Sequence, residues 1–247
     1  MKIEEFSHPH LDSSKFKHSK RGKVIGKGKL YSRDKWFYKT NPSADLRDNR
    51  GAQYDFLNKY IYSNLRGFDT ALDIGARVGE WSRPLGERFN EIIAFEPKEK
   101  WCKCFVKNVK LSNVTLYNYG LGSDFSSAKM NGDRICSLHQ DLDVHDNSTV
   151  RVMPLDYLGL SKIDFIKIDT NGHELEVLLG GKETILRTRP LIFIESIEGK
   201  EYFNGNTHEN HCNFLESIGM IRINKFMQEE KNRLHDSLYA WREDVEA

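Results

Sequence analysis

The feature that most constrains this chain is an apolar run that ends in an acid and a glycine turn, Thr70-Ala-Leu-Asp73-Ile-Gly75-Ala-Arg77-Val-Gly79. The apolar run predicts a buried β-strand, and the two glycines predict a turn into a helical segment. At such a turn a ligand approaches bare backbone while unpaired N–H groups of the helix point at it. The segment therefore predicts a nucleotide site in an α/β fold.

A second acid stands at the end of the next predicted strand. The segment Ile92-Ile-Ala-Phe95-Glu96-Pro97 is apolar until Glu96. In open α/β sheets an acid at this place hydrogen-bonds the ribose hydroxyls, because one carboxylate accepts from both. The two segments together predict a cofactor that contains adenosine.

The kind of cofactor follows partly from motifs that the sequence lacks. The turn from Gly75 to Gly79 is not the G-x-G-x-x-G fingerprint of dinucleotide sites, and the chain has no G-x-x-x-x-G-K-[ST] phosphate loop. A dehydrogenase and an NTPase are therefore disfavoured. Asp73 at the end of the first strand suits a cofactor that carries an amino group and a sulfonium, so the residues favour S-adenosylmethionine.

Further motifs extend the pattern along the chain. They are Asp164-Phe-Ile-Lys-Ile-Asp169-Thr-Asn171-Gly-His173-Glu174, Val177-Leu-Leu-Gly180 and Arg189-Pro-Leu-Ile-Phe-Ile-Glu195. With the two segments above, they resemble the ordered motifs of the FkbM family of S-adenosylmethionine-dependent methyltransferases. The resemblance covers about half of the chain, from Asp73 to Glu195.

The resemblance implies a fold and an activity. The fold is the Rossmann-like α/β fold of class I methyltransferases, with a mostly parallel seven-stranded sheet, helices on both faces and an antiparallel C-terminal strand pair. The activity is O-methylation, often of a sugar hydroxyl on a glycan or a secondary metabolite. Two residues depart from the family pattern: Arg77 stands where the family usually has Asn, and Asn171 where it usually has Glu.

Hydrophobic periodicity predicts the elements after the first two strands. Helices are predicted at residues 98–110, 173–187 and 206–218, and strands at residues 114–118, 149–153, 163–169, 191–195, 220–226 and 237–241.

The chain of 247 residues is long enough for one well-buried core. We expect residues 67–247 to form the methyltransferase domain, with the polar segment 123–148 as a lid or substrate loop. Residues 1–66 are expected to add a basic arm, a hairpin (22–31 with 35–39) and a helix (46–62). We expect these additions to lie over the carboxyl edge of the sheet and to shape the substrate pocket.

Charge is concentrated near the N-terminus. The net charge of +1 argues against a protein that binds polyanions over its whole surface, yet residues 13–33 hold eight Lys or Arg and no acid. This run is either a solvated arm or a patch for phosphate or an acidic glycan.

The candidate site residues lie in the motifs and at the predicted strand ends. Cofactor contacts are predicted for Asp73, Gly75, Ala76, Arg77, Gly79, Glu96, Pro97, Tyr119, Gly120, Leu121 and Asp169. Catalytic roles as acid, base or orienting group are predicted for Asp169, His173 and Glu195, and substrate contacts for Asn171, Arg134 and His139.

No metal site is predicted. The four cysteines form no C-x-x-C pair and are interpreted as free thiols, while His208 and His211 do not form H-E-x-x-H. Neither a run of 18 apolar residues nor a signal peptide is evident, so the sequence predicts a cytoplasmic protein without a membrane span.

The expected partner is a small-molecule or glycan acceptor, and nothing in the sequence specifies an oligomeric state. Two alternatives stay open. Because Arg77 and Asn171 depart from the family pattern, the chain could be a non-catalytic binder of S-adenosylmethionine or S-adenosylhomocysteine (SAH). It could also be a nucleic-acid methyltransferase that uses residues 13–33 as an electrostatic arm, although a basic arm alone does not make a nucleic-acid protein.

Overall fold

The computed structural model describes residues 2–4, 31–33, 36–38, 55–131, 134–136, 149–198, 205–228 and 233–246. Its strands in chain order are β1 (Lys2–Glu4), β2 (Tyr31–Arg33), β3 (Trp36–Tyr38), β4 (Thr70–Ile74), β5 (Glu91–Phe95), β6 (Val114–Tyr117), β7 (Gly120–Leu121), β8 (Ser126–Asn131), β9 (Arg134–Cys136), β10 (Thr149–Met153), β11 (Phe165–Ile168), β12 (Leu191–Glu195), β13 (Met220–Gln228) and β14 (Arg233–Trp241). Its α-helices are α1 (Ser82–Gly86), α2 (Glu99–Asn108), α3 (Glu174–Gly180), α4 (Lys182–Thr188), α5 (His208–Ser217) and α6 (Arg242–Val245).

The main sheet has eight strands in the order β1-β6-β5-β4-β11-β12-β14-β13. The strands from β1 to β12 in this order are parallel, and β14 runs antiparallel between β12 and β13. Seven of the predicted strands, including the antiparallel C-terminal pair, are therefore confirmed in this sheet, whereas the strand predicted at residues 149–153 is β10 and belongs to another sheet. The eighth strand, β1, was not predicted, because three residues are too few to show a periodic pattern.

A second sheet of four strands, in the order β7-β10-β8-β9, lies outside the main sheet. Its β8 and β9 fall within the segment 123–148, for which the sequence predicted a lid or substrate loop and no strands. The apolar residues alternate here and bury a small core of Ala128, Met130, Ile135, Val150 and Val152. Residues 132–133 and 137–148 lie outside the described part, and the role of the segment as a lid stays a prediction.

Each face of the main sheet has its own core, because successive side chains of a strand point to opposite faces. On the first face Leu72, Ile74, Ile166 and Ile168 pack with Leu178 of α3 and with residues of α4 and α5. On the second face lie Ala71, Ala94, Phe165 and Phe193, covered by residues of α1 and α2. Polar residues on the second face of β4 and β11 therefore need polar partners inside the fold.

The segment before β4 is helical, with a π-helical turn at Leu57–Ile61 and a 3-10 turn at Tyr62–Asn64. Leu57 and Ile61 are fully buried in the core of the second face, and Phe56 contacts Phe193 with ring centroids 5.6 Å apart. The prediction that this segment lies over the carboxyl edge is therefore wrong for residues 55–64. It packs on the face instead, because α1 has only five residues and leaves apolar surface to cover.

The predicted hairpin is present, with Tyr31 opposite Tyr38 and Arg33 opposite Trp36. Ser32 and Arg33, which were expected in its turn, belong to β2, while residues 22–30 lie outside the described part. The division of the chain near residue 66 stays a prediction. Among the described helices, none has the length and apolar character needed to cross a bilayer.

We predict that Gly180→Ala destabilises the fold by about 3 kcal/mol, the upper end of the cost of overpacking. A Cβ at Gly180 would lie 1.9 Å from the carbonyl oxygen of Gly122, so α3 would have to move away from the loop after β7. Urea unfolding measures the change, and Leu179→Ala in the same helix, at a side chain 43% exposed, is the control. Equal midpoints for Gly180→Ala and the unchanged protein would contradict this packing.

Candidate active site

The site is built where the strand order reverses, between β4 and its two neighbours. Beyond β4, Gly75 N and Ala76 N donate to the carbonyl oxygen of Phe95 at 3.0 and 2.9 Å, and Asp169 N donates to that of Ile74 at 3.1 Å. A Cβ at Gly75 would lie 1.9 Å from the carbonyl oxygen of Asp169, so only glycine allows this approach. In open α/β sheets, ligands bind in the crevice at this switch point.

The turn after β4 has left-handed backbone at Gly75 (φ 79°), Arg77 (φ 48°) and Gly79 (φ 91°). Arg77 N donates to Glu96 Oε2 at 2.9 Å, and Asn108 Nδ2 donates to the carbonyl oxygen of Val78 at 2.9 Å. The first bond joins the glycine turn to the end of β5, and the second joins it to the end of α2. The structure thus brings these motif residues together, and their contact with a cofactor stays a prediction.

The side chain of Arg77 lies along α2, with its guanidinium carbon 5.1 Å from the centroid of the Trp101 ring. The indole face stabilises a cation at this distance by about 0.5–1 kcal/mol at exposed positions. The positive charge that departs from the family pattern therefore has a partner of its own in the fold.

Glu96 is buried and is held by backbone donors on both oxygens. Its Oε2 accepts from Arg77 N, as above, and its Oε1 accepts from Lys98 N at 2.8 Å. Asn118 Nδ2 donates to the carbonyl oxygens of Glu96 and Pro97 at 2.9 and 3.0 Å, which fixes the end of β5. A carboxylate oxygen has two lone pairs, so one oxygen can accept from a backbone N–H and from a ribose hydroxyl together.

Asp73 is fully buried. Ser82 Oγ donates to its Oδ2 at 2.6 Å, and Lys167 Nζ lies 3.3 Å from its Oδ1. The carboxylate therefore links β4 to the start of α1 and to β11. Since its side chain has no accessible surface, its contact with a cofactor stays a prediction, and the structure gives it a supporting position.

Lys167 is a buried cation that the sequence analysis did not single out. Its Nζ donates to the carbonyl oxygen of Gly75 at 3.0 Å and lies 3.7 Å from Asp169 Oδ2. Burial lowers the pKa of Lys167, but the charges of Asp169, Asp73 and Glu195 outweigh it, so the pKa is raised and the group is an ammonium ion. A lysine at an inward position of a central apolar strand was the signal that could have revealed it.

Asp169 follows β11, and Glu195 is the last residue of the neighbouring β12. Ile168 pairs with Ile194, so Asp169 and Glu195 come next to each other at the carboxyl edge. The side chain of Asp169 is 43% exposed, whereas Glu195 is buried. Of these two catalytic candidates, Asp169 is the one that a ligand can reach.

The loop after β11 is organised by Glu174, a buried residue that the sequence analysis assigned no role. Its Oε1 accepts from Thr170 N at 2.9 Å, Thr170 Oγ1 at 3.0 Å and Gly172 N at 3.1 Å. Asn171 is exposed at the tip in left-handed backbone (φ 61°), which asparagine tolerates well. Its predicted substrate contact stays a prediction. The sequence signal that could have revealed the role of Glu174 was its position as an acid in the first turn of α3.

His173 precedes α3 and is only 6% exposed. A Cβ at Gly122 would lie 3.1 Å from its Nε2, so the ring packs against the loop after β7. Burial lowers its pKa from 6.5 to about 4. A general base works best with a pKa near the operating pH, so this environment does not favour the predicted catalytic role.

The predicted contacts after β6 divide into side chains and backbone. Tyr119 and Leu121 are each 1% exposed and belong to the core of the first face, so their side chains form no open wall for a ligand. A Cβ at Gly120 would lie 3.6 Å from Pro97 Cβ, which brings two predicted cofactor residues together. The backbone at Gly120 is therefore the part of this segment that lies beside the strand ends.

The remaining predictions concern the segment 123–148, metal sites and the cysteines. Arg134 begins β9 in the second sheet, where its backbone pairs with Asn131, and His139 lies outside the described residues. Within the described ranges no cluster of His, Cys, Asp or Glu could hold a metal ion. Cys102, Cys104 and Cys212 are buried free thiols, as predicted.

We predict that His173 makes stability depend on pH between 6.5 and about 4. In this range the unfolded imidazole binds a proton and the folded one does not, so acid favours unfolding by up to about 3 kcal/mol. Urea unfolding at several pH values should give a flatter profile for His173→Gln, whereas His208→Gln on the surface of α5 should keep the original slope. Identical slopes for His173→Gln and the unchanged protein would refute the buried neutral state.

Comparisons with known proteins agree with this architecture. A family model described as the methyltransferase FkbM domain matches residues 73–222, more than half of the 247 residues. The solved structure of an FkbM methyltransferase from Methylobacillus flagellatus KT is similar with a TM-score of 0.51 and 17% identity, over 74% of this chain and 46% of that chain. The chain thus spans less than half of that protein.

Two other solved structures are similar at lower TM-scores. A Streptococcus mutans protein in complex with SAH gives 0.49 at 13% identity, over 77% of this chain and 96% of that chain. An rRNA methylase from Streptococcus thermophilus gives a TM-score of 0.44 at 13% identity, over 79% of this chain and 98% of that chain. A search of curated proteins found no match. From the family model and the observed strand order, this chain belongs to the FkbM methyltransferase family and has the Rossmann-like methyltransferase fold.

Proposed function

We propose that the protein is an S-adenosylmethionine-dependent methyltransferase that O-methylates a hydroxyl group of a sugar, a glycan or a small metabolite. The observation that carries this proposal is the position of Glu96. Its carboxylate is held by backbone N–H groups of Arg77 and Lys98, directly beside the glycine turn of the matched family domain. The family resemblance supports oxygen as the acceptor atom and a sugar as the acceptor class.

The residues of the crevice fit this cofactor. Gly75 brings bare backbone to the end of β11, since any side chain there would collide with Asp169. Glu96 would hold the ribose hydroxyls, while Pro97 and the backbone of Gly120 would flank the adenine. The carboxylate of Asp169 would face the charged end, because it is the accessible acid at the switch point. When bound, S-adenosylmethionine supplies an electrophilic methyl group on a sulfonium.

The chain's own contribution to the transfer is orientation and proton removal. In-line displacement is accelerated chiefly by holding the acceptor and the methyl group in line. A hydroxyl acceptor must also lose its proton, which requires a base within reach. Asp169 would orient the hydroxyl or accept its proton, and its main chain is fixed by the bond from Asp169 N to the carbonyl oxygen of Ile74.

Two other functions, a non-catalytic cofactor binder and a nucleic-acid methyltransferase, would give different results in binding and activity assays. A non-catalytic binder would take the cofactor but turn over no acceptor. A nucleic-acid methyltransferase would bind RNA or DNA in a salt-dependent manner through residues 13–33, which lie largely outside the described part.

We predict that calorimetric titration of the protein with SAH shows saturable binding and that Glu96→Ala weakens it at least tenfold. Two lost hydrogen bonds from ribose hydroxyls to a charged acceptor are worth about 1.5–3 kcal/mol each. Glu91→Ala, at the exposed start of the same strand, is the matched control and should bind like the unchanged protein. Absence of binding by the unchanged protein would overturn the proposal.

We predict that Asp169→Asn lowers the rate of methyl transfer about 10²–10⁴-fold, the usual effect of losing a positioned acid or base. The assay follows SAH release over a panel of neutral sugars, acidic sugars, amines and nucleic acids. Glu176→Gln, on the helix that follows, is the control and should keep the full rate. Unchanged turnover by Asp169→Asn would remove the proposed role.

A further inference from the structure

The ammonium group of Lys167 lies in a cage of oxygen atoms between the ends of β4 and β11. Four oxygens surround its Nζ: the carbonyl oxygens of Gly75 at 3.0 Å and Ile74 at 3.5 Å, Asp73 Oδ1 at 3.3 Å and Asp169 Oδ2 at 3.7 Å. The residue is 2% exposed. The cage therefore joins the turn that would contact the cofactor to the acid that would face it.

This arrangement is not explained by stability alone. Replacing a buried ion pair by apolar side chains of similar volume is often neutral or stabilising, because desolvation offsets the Coulombic attraction. Lys167 also lies on the face where Phe165 and Phe193 form an apolar core, so an apolar residue would suit its strand position. A function at the site accounts better for the buried charge.

The cage also sets the charge of the crevice. Asp73 on β4, Asp169 after β11 and Glu195 on β12 all act electrostatically on Lys167. One ammonium is therefore under the influence of three carboxylates. S-adenosylmethionine carries a sulfonium that SAH lacks, so a negatively charged crevice favours the cofactor over the product, and each added positive charge reduces that preference.

We propose, resting on the function proposed above, that Lys167 is a positioning residue with two effects. Its ammonium holds the carbonyl of Gly75 and the carboxylate of Asp73, which fixes the glycine turn. The same charge limits how strongly the crevice prefers S-adenosylmethionine over SAH.

The ratio of the two dissociation constants separates these effects. S-adenosylmethionine and SAH have the same adenosyl and amino-acid parts and differ in the methyl group and its charge. Disorder of the turn therefore lowers the affinity for both ligands by a similar factor and leaves the ratio of the dissociation constants unchanged. A change of charge near the sulfur changes the ratio.

The experiment measures binding of S-adenosylmethionine and of SAH by calorimetry for Lys167→Met, which keeps the chain length and removes the charge. We expect both affinities to fall and the ratio Kd(SAH)/Kd(S-adenosylmethionine) to rise about three- to tenfold, the effect of one unit charge at an intermediate dielectric. Lys162→Met is the matched control. It removes an exposed lysine that pairs with Asp69 at the opposite edge of the sheet, so its ratio should not change.

A double variant keeps the test decisive if Lys167→Met folds poorly. Asp73→Asn with Lys167→Met removes both members of the buried pair, so Asp73 is not left as an uncompensated buried charge. We expect it to fold better than Lys167→Met and to have a ratio about three- to tenfold above that of Asp73→Asn, from which it differs only in the charge at residue 167. Equal ratios in Asp73→Asn and the double variant would overturn the electrostatic effect.

A readout without cofactor tests the positioning effect. Hydrogen exchange of the amides in residues 75–81 should be faster in Lys167→Met than in the unchanged protein, and Lys162→Met should show no change. Equal exchange in all three would overturn the positioning effect. Failure of the proposed function is distinguishable from both results, because the unchanged protein would then bind neither ligand.

Discussion

The contact between Lys167 and Asp73 determines how the ends of β4 and β11 meet. Both residues are buried on the face of the sheet that otherwise carries Ala71, Phe165 and Phe193. Two charges at this depth are tolerated only when their remaining lone pairs and protons are also satisfied. Ser82 satisfies one side of the pair and the carbonyl oxygen of Gly75 the other. The pair therefore fixes the helix start and the glycine turn together.

The three acids near this pair differ in their burial and in their hydrogen-bond partners. Asp73 is fully buried and supports the turn. Glu96 is 5% exposed, and its oxygens are oriented by the backbone N–H groups of Arg77 and Lys98. Asp169 is the carboxylate with exposed surface. A sequence pattern assigns all three to strand ends, whereas their burial and their hydrogen-bond partners support the different roles proposed for them.

The elements of the main sheet could be predicted from the sequence because each is a local pattern of apolar residues. Partners across the fold leave no such pattern. Lys167 and Glu174 organise the site through residues that are distant in sequence or belong to the backbone, so neither was identified. His173 has a polar neighbourhood in sequence, yet α3 and the loop after β7 bury it. β8 was missed because its alternation rests on Ala128 and Met130 between serine and lysine.

The position of Arg77 explains why a departure from the family pattern need not alter the site. The turn requires left-handed backbone here and an N–H group that donates to Glu96, and any residue except proline supplies the N–H. Asparagine adopts this conformation easily, whereas in arginine it costs about 1–2 kcal/mol of conformational free energy. Contact of the guanidinium with the Trp101 ring offsets part of that strain and keeps the charge beside α2. The substitution therefore changes the cost of forming the turn but keeps the donor that orients the carboxylate of Glu96.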